Sequence, residues 1–365
     1  MIGLALSGGG SRAIAFHLGC LRALDDLGVL NRIEVLSTIS GGSVIGAYYA
    51  YTPEKEFAEF ESDVRRFLAR GFAYSTLLRL VDPKHTFAAI RNLGATAIDV
   101  FRERIGGQPI FRGYPSRTDL FREVLEHEIF TGLMMHSPRR HNCEVVIGAC
   151  ELQTGSAFRF GNSRSGSWRF GELLADDIDV SFAVAASAAY PLFLPPLDRQ
   201  WRFRKNSVEQ KCRVVLTDGG VYDNLGLQVL EPGRNPAYSI HTFPCEYLIV
   251  CNAGHGQSLE LAPVRFLPRV SRAFVVVHRR VQDSAMQRLH TLLKTKAIKG
   301  FAMPYLGQQD DLLPLRPSVL VSRSDVVTFP TDFSAMSQEW IDKLSDRGEQ
   351  LTRALVSSYL AELLE

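Results

Sequence analysis

Three short stretches of the sequence combine bare backbone with side chains suited to acyl transfer. Ser7-Gly8-Gly9-Gly10-Ser11-Arg12 lies between an apolar run (Ile2, Leu4, Leu6) and a helical pattern. Its unhindered N–H groups and the dipole of the following helix favour negative charge. Neither phosphate fingerprint is completed there. Ser11-Arg12-Ala13 lacks the Lys-Ser or Lys-Thr pair of a P-loop, and Glu34 stands at the beginning of the second strand, away from where a ribose-binding acid is needed. In Thr38-Ile39-Ser40-Gly41-Gly42, Ser40 sits at a second strand-to-helix junction. Small neighbours at such a junction hold a serine above the sheet edge as a nucleophile, although Thr38 stands where the GxSxG pattern has glycine. Adjacent parallel strands would set Gly8, Gly9 and Gly10 beside Ser40, with their amides facing an oxyanion formed at its hydroxyl. Arg12 either steadies the glycine loop or is a surface cation.

The base is less direct. Asp218 ends the apolar run Val214-Val215-Leu216-Thr217 and precedes Gly219-Gly220, which frees it to approach another loop; Asp-Gly is also an ordinary turn signal. His255 follows the run Tyr247 to Cys251 and stays in reserve, whereas His17 lies about two turns into the first helix and reads as a packed or surface histidine. The nine histidines show no HExxH or HxxxH spacing and the six cysteines no CxxC pair, so neither a metal nor a cofactor is expected. The cysteines read as buried thiols of a reducing compartment.

The elements that must hold these residues follow from the patterning. A strand over Ile2 to Leu6, a helix with Ile14, Leu18, Leu21 and Leu24 on one face ending at Gly28, a strand over Val35 to Ile39 and a helix over Ser43 to Tyr51 make two strand-turn-helix units in about fifty residues. They predict an α/β fold with a mainly parallel central sheet and helices on both faces. Further strands are expected at Glu144 to Ile147, Phe158 to Phe160, Val214 to Leu216, Tyr247 to Cys251 and Val319 to Val321, and long helices around Val270 to Lys299 and Ser345 to Leu363. Phe57, Phe60, Val64 and Phe67, with a helical pattern over Phe87 to Arg104, predict a helical insertion at about 53–130, of which 75–106 is a candidate lid. No repeat or linker divides the chain, which reads as one domain over 1–365. With 41 basic against 39 acidic residues, no bulk attraction to nucleic acid follows, and the arginines read as scattered, without a membrane-recruiting cluster. The N-terminus enters a strand without a basic leader, and the uncharged stretches at Val35 to Pro53 and Val180 to Leu197 are broken by glycine, serine or proline. The expected location is the cytoplasm, with export lacking a cleavable signal left open.

Together, Ser-Gly-Gly-Gly-Ser-Arg at 7–12, Ile-Ser-Gly-Gly-Ser at 39–43, Ala-Ser-Ala-Ala-Tyr-Pro at 186–191 and Asp-Gly-Gly-Val-Tyr-Asp-Asn at 218–224 resemble the patatin-like phospholipases in order and placement. The resemblance spans most of 1–254. It implies a three-layer sandwich and a Ser-Asp dyad, with Ser40 matching the nucleophile, Asp218 the base and Gly8, Gly9 and Gly10 the oxyanion loop. Arg12, Gly41, Gly42, Gly219 and Gly220 are supporting residues, and Asp223 is the competing carboxylate. Thr38 and Ala13 depart from the family pattern and imply altered packing. The implied activity is hydrolysis of phospholipid or lysophospholipid esters through an acyl-enzyme, with transient contact with a membrane surface. The alternatives are a lipid transacylase and a catalytically silent lipid- or partner-binding scaffold. An aspartate must be partly dry to act as a base near neutral pH, so an apolar cleft is expected, with Ala188, Tyr190, Leu192, Phe193 and Leu194 as its candidates.

Overall fold

The computed structural model describes residues 1–72, 116–175, 177–191, 193–256 and 264–364. Strand β1 (Ile2–Leu6) feeds helix α1 (Gly10–Asp26), and β2 (Val35–Ile39) feeds α2 (Gly41–Tyr51). After these come α3 (Phe57–Arg70), α4 (Arg117–Glu128), β3 (Glu144–Glu151), β4 (Ser156–Gly161), β5 (Ser165–Ser167), β6 (Gly171–Leu173) and α5 (Val180–Ser187). The chain continues through β7 (Leu197–Lys205), β8 (Val208–Asp218), the single turn α6 (Gly220–Asp223), β9 (Tyr247–Cys251), α7 (Phe266–Lys294), β10 (Gly300–Ala302), the single turn α8 (Arg323–Val326) and α9 (Gln338–Tyr359).

One sheet links all these strands in the order β10-β9-β1-β2-β3-β4-β5-β6-β7-β8. Its first five strands are parallel, as strand-turn-helix units require. The other half is antiparallel, and β8 returns to pair with β3, so this half closes on itself like a barrel. The expectation of a mainly parallel sheet is thereby corrected to a mixed one. The reason is local: β3 to β6 are joined to one another, and β7 to β8, by short turns, such as Asn206-Ser207, both at positive φ (50° and 66°), and such turns reverse a strand without a crossover helix; among the described residues only the β6–β7 connection carries a helix, α5. β7 and β8 also carry charged residues on a solvated face, which hides their strand pattern.

Apolar clusters cover both faces of the sheet. The larger joins α1, α2, α3 and α9 to one face; the smaller holds Ala285 and Leu289 of α7 against Leu225, Leu227 and Leu248. α1 is buried nearly all round, because α9 covers the side that faces away from the sheet. Two glycines permit that approach: a Cβ on Gly19 would lie 1.7 Å from the Ser345 carbonyl oxygen, and one on Gly348 2.1 Å from that of Phe16. α3 and α4 are helical parts of the expected insertion; Phe87 to Arg104 and the candidate lid 75–106 lie outside the described residues. Val319 to Val321 is no strand. Its backbone is instead tied to α9, with the Val321 N–H on Gln350 Oε1 (2.8 Å) and its carbonyl accepting from the buried Arg347 (2.7 Å).

Candidate active site

The register explains how Ser40 and Asp218, 178 positions apart, come together. β2 runs parallel to β3 and ends with Ile39 opposite Gly148; β8 runs antiparallel to β3 and ends with Asp218 opposite Ala149. β4 occupies the other edge of β3, so β2 and β8 share one edge and meet head to head over Gly148 and Ala149. The first residue past β2 is Ser40, and its hydroxyl lies close enough to the Asp218 carboxylate to stabilise its charge.

The Ser40 backbone (φ 53°, ψ −120°) lies in a region that side chains avoid. Packing holds it there. Its N–H donates to Ser187 Oγ (2.9 Å), and Ser187 Oγ donates to the Gly148 carbonyl (2.6 Å). With that hydrogen committed, the Ser43 hydroxyl, 2.9 Å away, donates to Ser187 as well. Ser187 also fixes the other partner, because its carbonyl accepts the Gly219 N–H (3.1 Å), while Ala189 O accepts the N–H of Asp218 (3.0 Å). A Cβ on Gly219 would lie 2.2 Å from the Gly148 oxygen. Sequence reasoning noted the 186–191 block but gave Ser187 no part; its only signal was its place within that block.

Asp218 is 3% exposed and Ser40 6%. Burial pushes the Asp218 carboxyl up from 3.8 to about 6, against the lowering effect of the nearby Ser40 hydroxyl and of the hydrogen bond from the Gly220 N–H (2.7 Å to Oδ1). Asp223 does not share this position: its carboxylate accepts the Gln228 N–H at 3.0 Å. His17 is fully buried and donates through Nε2 to the Ser7 carbonyl (2.9 Å), with the thiols of Cys20 and Cys251 close by; all six cysteines are unpaired. His255 packs against Arg12 and the Phe329 carbonyl, and burial followed by the Arg12 charge lowers its pKa to about 4.

The glycine loop lies directly against the elbow. A Cβ on Gly8 would fall 3.1 Å from Ser40 Cβ and 2.5 Å from Asn224 Oδ1, and one on Gly41 would fall 2.3 Å from the Gly10 oxygen. The Gly8 N–H is engaged by the Asn224 carbonyl (3.1 Å), so of the three glycines expected to face an oxyanion only Gly9 and Gly10 keep N–H groups without a partner among the described residues. Gly8 acts as a spacer that lets Asn224 sit between the two loops. Gly42 packs on the Leu6 and Ser7 carbonyls, and Gly220 against Asn224 and Asp218.

Arg12 is no surface cation. It is 4% exposed, donates to Ala253 O (2.9 Å), Phe329 O (3.3 Å) and Thr331 Oγ1 (2.5 Å), and burial lowers its pKa to about 9. It thus ties the glycine loop to segment 329–334, whose Asp332 carbonyl also accepts the Ser11 N–H (2.7 Å) and leaves no room for a Cβ on Gly10. Thr38 fits at the elbow because α2 offers Gly46 opposite it: a Cβ there would lie 2.5 Å from Thr38 Cγ2. Of the expected cleft residues, Ala188 is fully buried, Leu194 packs on the core, Tyr190 lies tilted against the exposed Phe193 with ring centres 5.8 Å apart, and Leu192 lies outside the described residues. Tyr190 is the one that feels the Asp218 charge.

A family model described as patatin-like phospholipase matches residues 4–230, more than half of the chain. No curated protein sequence matches. Among solved structures, human GIVD cytosolic phospholipase A2 is similar at 14% identity and a TM-score of 0.57, covering 100% of this chain and 60% of that one. The same human enzyme in complex with methyl gamma-linolenyl fluorophosphonate is similar at 15% identity and a TM-score of 0.57, covering 58% of that chain. This chain thus spans about three fifths of the length of these structures, and at such identity the likeness is one of fold.

Proposed function

The chain belongs to the patatin-like phospholipase family, and from that premise we propose that it is a lipid acyl hydrolase working through a Ser40–Asp218 dyad on carboxylic esters of phospholipids or lysophospholipids. One observation carries the reading: a serine held in a strained strand-to-helix elbow stands beside a buried aspartate whose pKa lies near 6, with two glycine N–H groups in the neighbouring loop that have no partner among the described residues.

The chemistry follows from these groups. Ser40 Oγ attacks the ester carbonyl carbon as its proton passes to the Asp218 carboxylate, and the carbonyl electron pair moves onto oxygen. The N–H groups of Gly9 and Gly10 stabilise that oxyanion; preorganised donors of this kind are worth about 3 to 4 kcal/mol each in related chemistry. Collapse expels the alcohol, which takes the proton from Asp218. Water then attacks the acyl-enzyme, Asp218 accepts its proton, and the fatty acid leaves as Ser40 regains a hydrogen. An ordinary aspartate is a weak base for an alcohol, and the burial that raises Asp218 moves it toward working pH. Arg12 and Ser187 are positioning residues in this scheme. Segment 329–334 braces Gly10, and β9 and β10 extend the sheet beyond residue 230, which supports treating 1–365 as one acyl-hydrolase domain.

The test is fatty-acid release from mixed phospholipid micelles by the purified full chain. Wild type is expected to release fatty acid and Ser40→Ala to release none, with both showing cooperative melting. Equal release by Ser40→Ala would overturn the assignment.

A further inference from the structure

We infer that the N-terminal half of α7 is a docking face for an anionic lipid surface, which sets the Ser40–Asp218 site against the layer holding its substrate. Along the sequence the arginines look dispersed, and the chain is close to neutral at +2. Between 264 and 282, however, there are five arginines and no acidic residue, and the helix gathers them on one rod. That helix has 29 residues, roughly 43 Å at 1.5 Å per residue.

Among the described residues, one stripe of it faces the protein. Ala285 and Leu289 are buried in the core, Gln282 reaches the backbone at Gly254, and His278 hydrogen-bonds the backbone of Gly220, two residues beyond Asp218. The remaining faces are apolar and bare: Phe266, Val270, Val275, Val276, Val277 and Val281 each expose between 39% and 67% of their surface. A helix facing water alone would place polar residues there. Arg265, Arg269 and Arg280 are exposed among these side chains, and Arg279 reaches Asp283 at 3.8 Å, where the acidic residues resume.

Valines with arginines between them match the boundary of a membrane, where apolar side chains enter the acyl region and guanidinium groups meet lipid phosphates. No helix among the described residues is long and apolar enough to cross a membrane, so α7 would lie on the surface. The choice of a lipid partner rests on reading the site as a lipid hydrolase; the charge and the bare valines come from the helix itself.

The test separates the two readings by using the full-length Ser40→Ala protein, which binds without turnover. Flotation with phosphatidylcholine vesicles is compared with flotation with vesicles containing about one third phosphatidylglycerol. Binding is expected to the anionic vesicles, weakening with salt, and little to the zwitterionic ones. Arg269→Glu with Arg280→Glu should weaken binding about twenty-five-fold or more, at about fivefold per lost arginine charge. Val276→Asp should also weaken it. Both changes, placed in the Ser40 protein, should leave the melting transition and the hydrolysis of a monomeric short-chain ester unchanged. Binding that ignores vesicle charge, variants that bind as the parent does, or a dimer in light scattering that Val276→Asp dissolves would each overturn the docking face. Vesicle binding that behaves as expected in a chain with no ester hydrolysis would leave the face standing and remove the hydrolase reading.

Discussion

Replacing Asp218 by asparagine should abolish hydrolysis and make the protein more stable at alkaline pH. In the folded chain the carboxyl titrates near 6 because it is buried; unfolded, it returns to 3.8. The sign follows from proton counting: between these values the folded state holds a proton that the unfolded state has released, so raising the pH works against folding. The penalty is absent below about 3 and complete above about 7, where it reaches about 3 kcal/mol at 1.36 kcal/mol per pKa unit. Asparagine keeps an oxygen for the Gly220 N–H, carries no charge and should escape the penalty. For 365 residues, with an unfolding entropy of about 2.1 cal/mol/K per residue, 3 kcal/mol corresponds to a rise in Tm of about 4 °C. Calorimetry at pH 8 and pH 4.5 on wild type and Asp218→Asn reads the difference, since all other titrating groups are common to both. The expected result is a Tm about 4 °C higher for the variant at pH 8, shrinking to about 1 °C at pH 4.5, and no ester hydrolysis at either. A variant that is less stable at pH 8, or whose advantage does not change with pH, would refute the reasoning.

Ser40→Gly should be about 1 kcal/mol more stable than Ser40→Ala in urea unfolding, because glycine relieves the backbone at φ 53° while both variants lose the hydroxyl; equal midpoints would count against a strained elbow. Gly46→Ala should lose about 1 to 3 kcal/mol by pressing on Thr38 Cγ2, and Thr38→Ala should restore most of it; strictly additive effects in the double-mutant cycle would rule out the contact. Arg12→Met leaves the Ala253 and Phe329 carbonyls without their donor and should cost about 2 to 4 kcal/mol in the same assay, with kcat falling as the glycine loop loosens; wild-type stability and kcat would remove its positioning role. In wild type, kcat/KM for a soluble ester should rise with pH through about 6 and then level; a profile flat from pH 5 to 8 would contradict Asp218 as the base.

The sequence made some of this legible and hid the rest for identifiable reasons. β1–α1 and β2–α2 are visible because short apolar runs, glycine turns and helical spacing follow one another locally. The head-to-head meeting of β2 and β8 is not local: it depends on β8 running antiparallel to β3, which follows from hairpins whose charged strands and Asn-Ser turn carry weak patterns. Ser187 acts through a hydroxyl between two loops 147 positions from Ser40, and no spacing rule reports such a bond. Gly46 reads as a weak helix residue until Thr38 is seen against it, and the bracing of Gly10 by Asp332 joins segments 322 positions apart. The stretch 264–282, with five arginines and no acid, is present in the sequence but is lost when charge is judged over the whole near-neutral chain, and its surface placement appears only on the helix.

Central to the proposed mechanism is activation of Ser40 by Asp218 with no histidine between them. Reaction of the intact protein with a fluorophosphonate, followed by peptide mapping, tests this in one measurement. One adduct on the peptide carrying Ser40 is predicted, formed at a rate that rises with pH through about 6 in wild type and at least a hundredfold more slowly in Asp218→Asn, about the scale of a lost general base. An adduct on another residue, or labelling of Ser40 at an undiminished rate without Asp218, would contradict it.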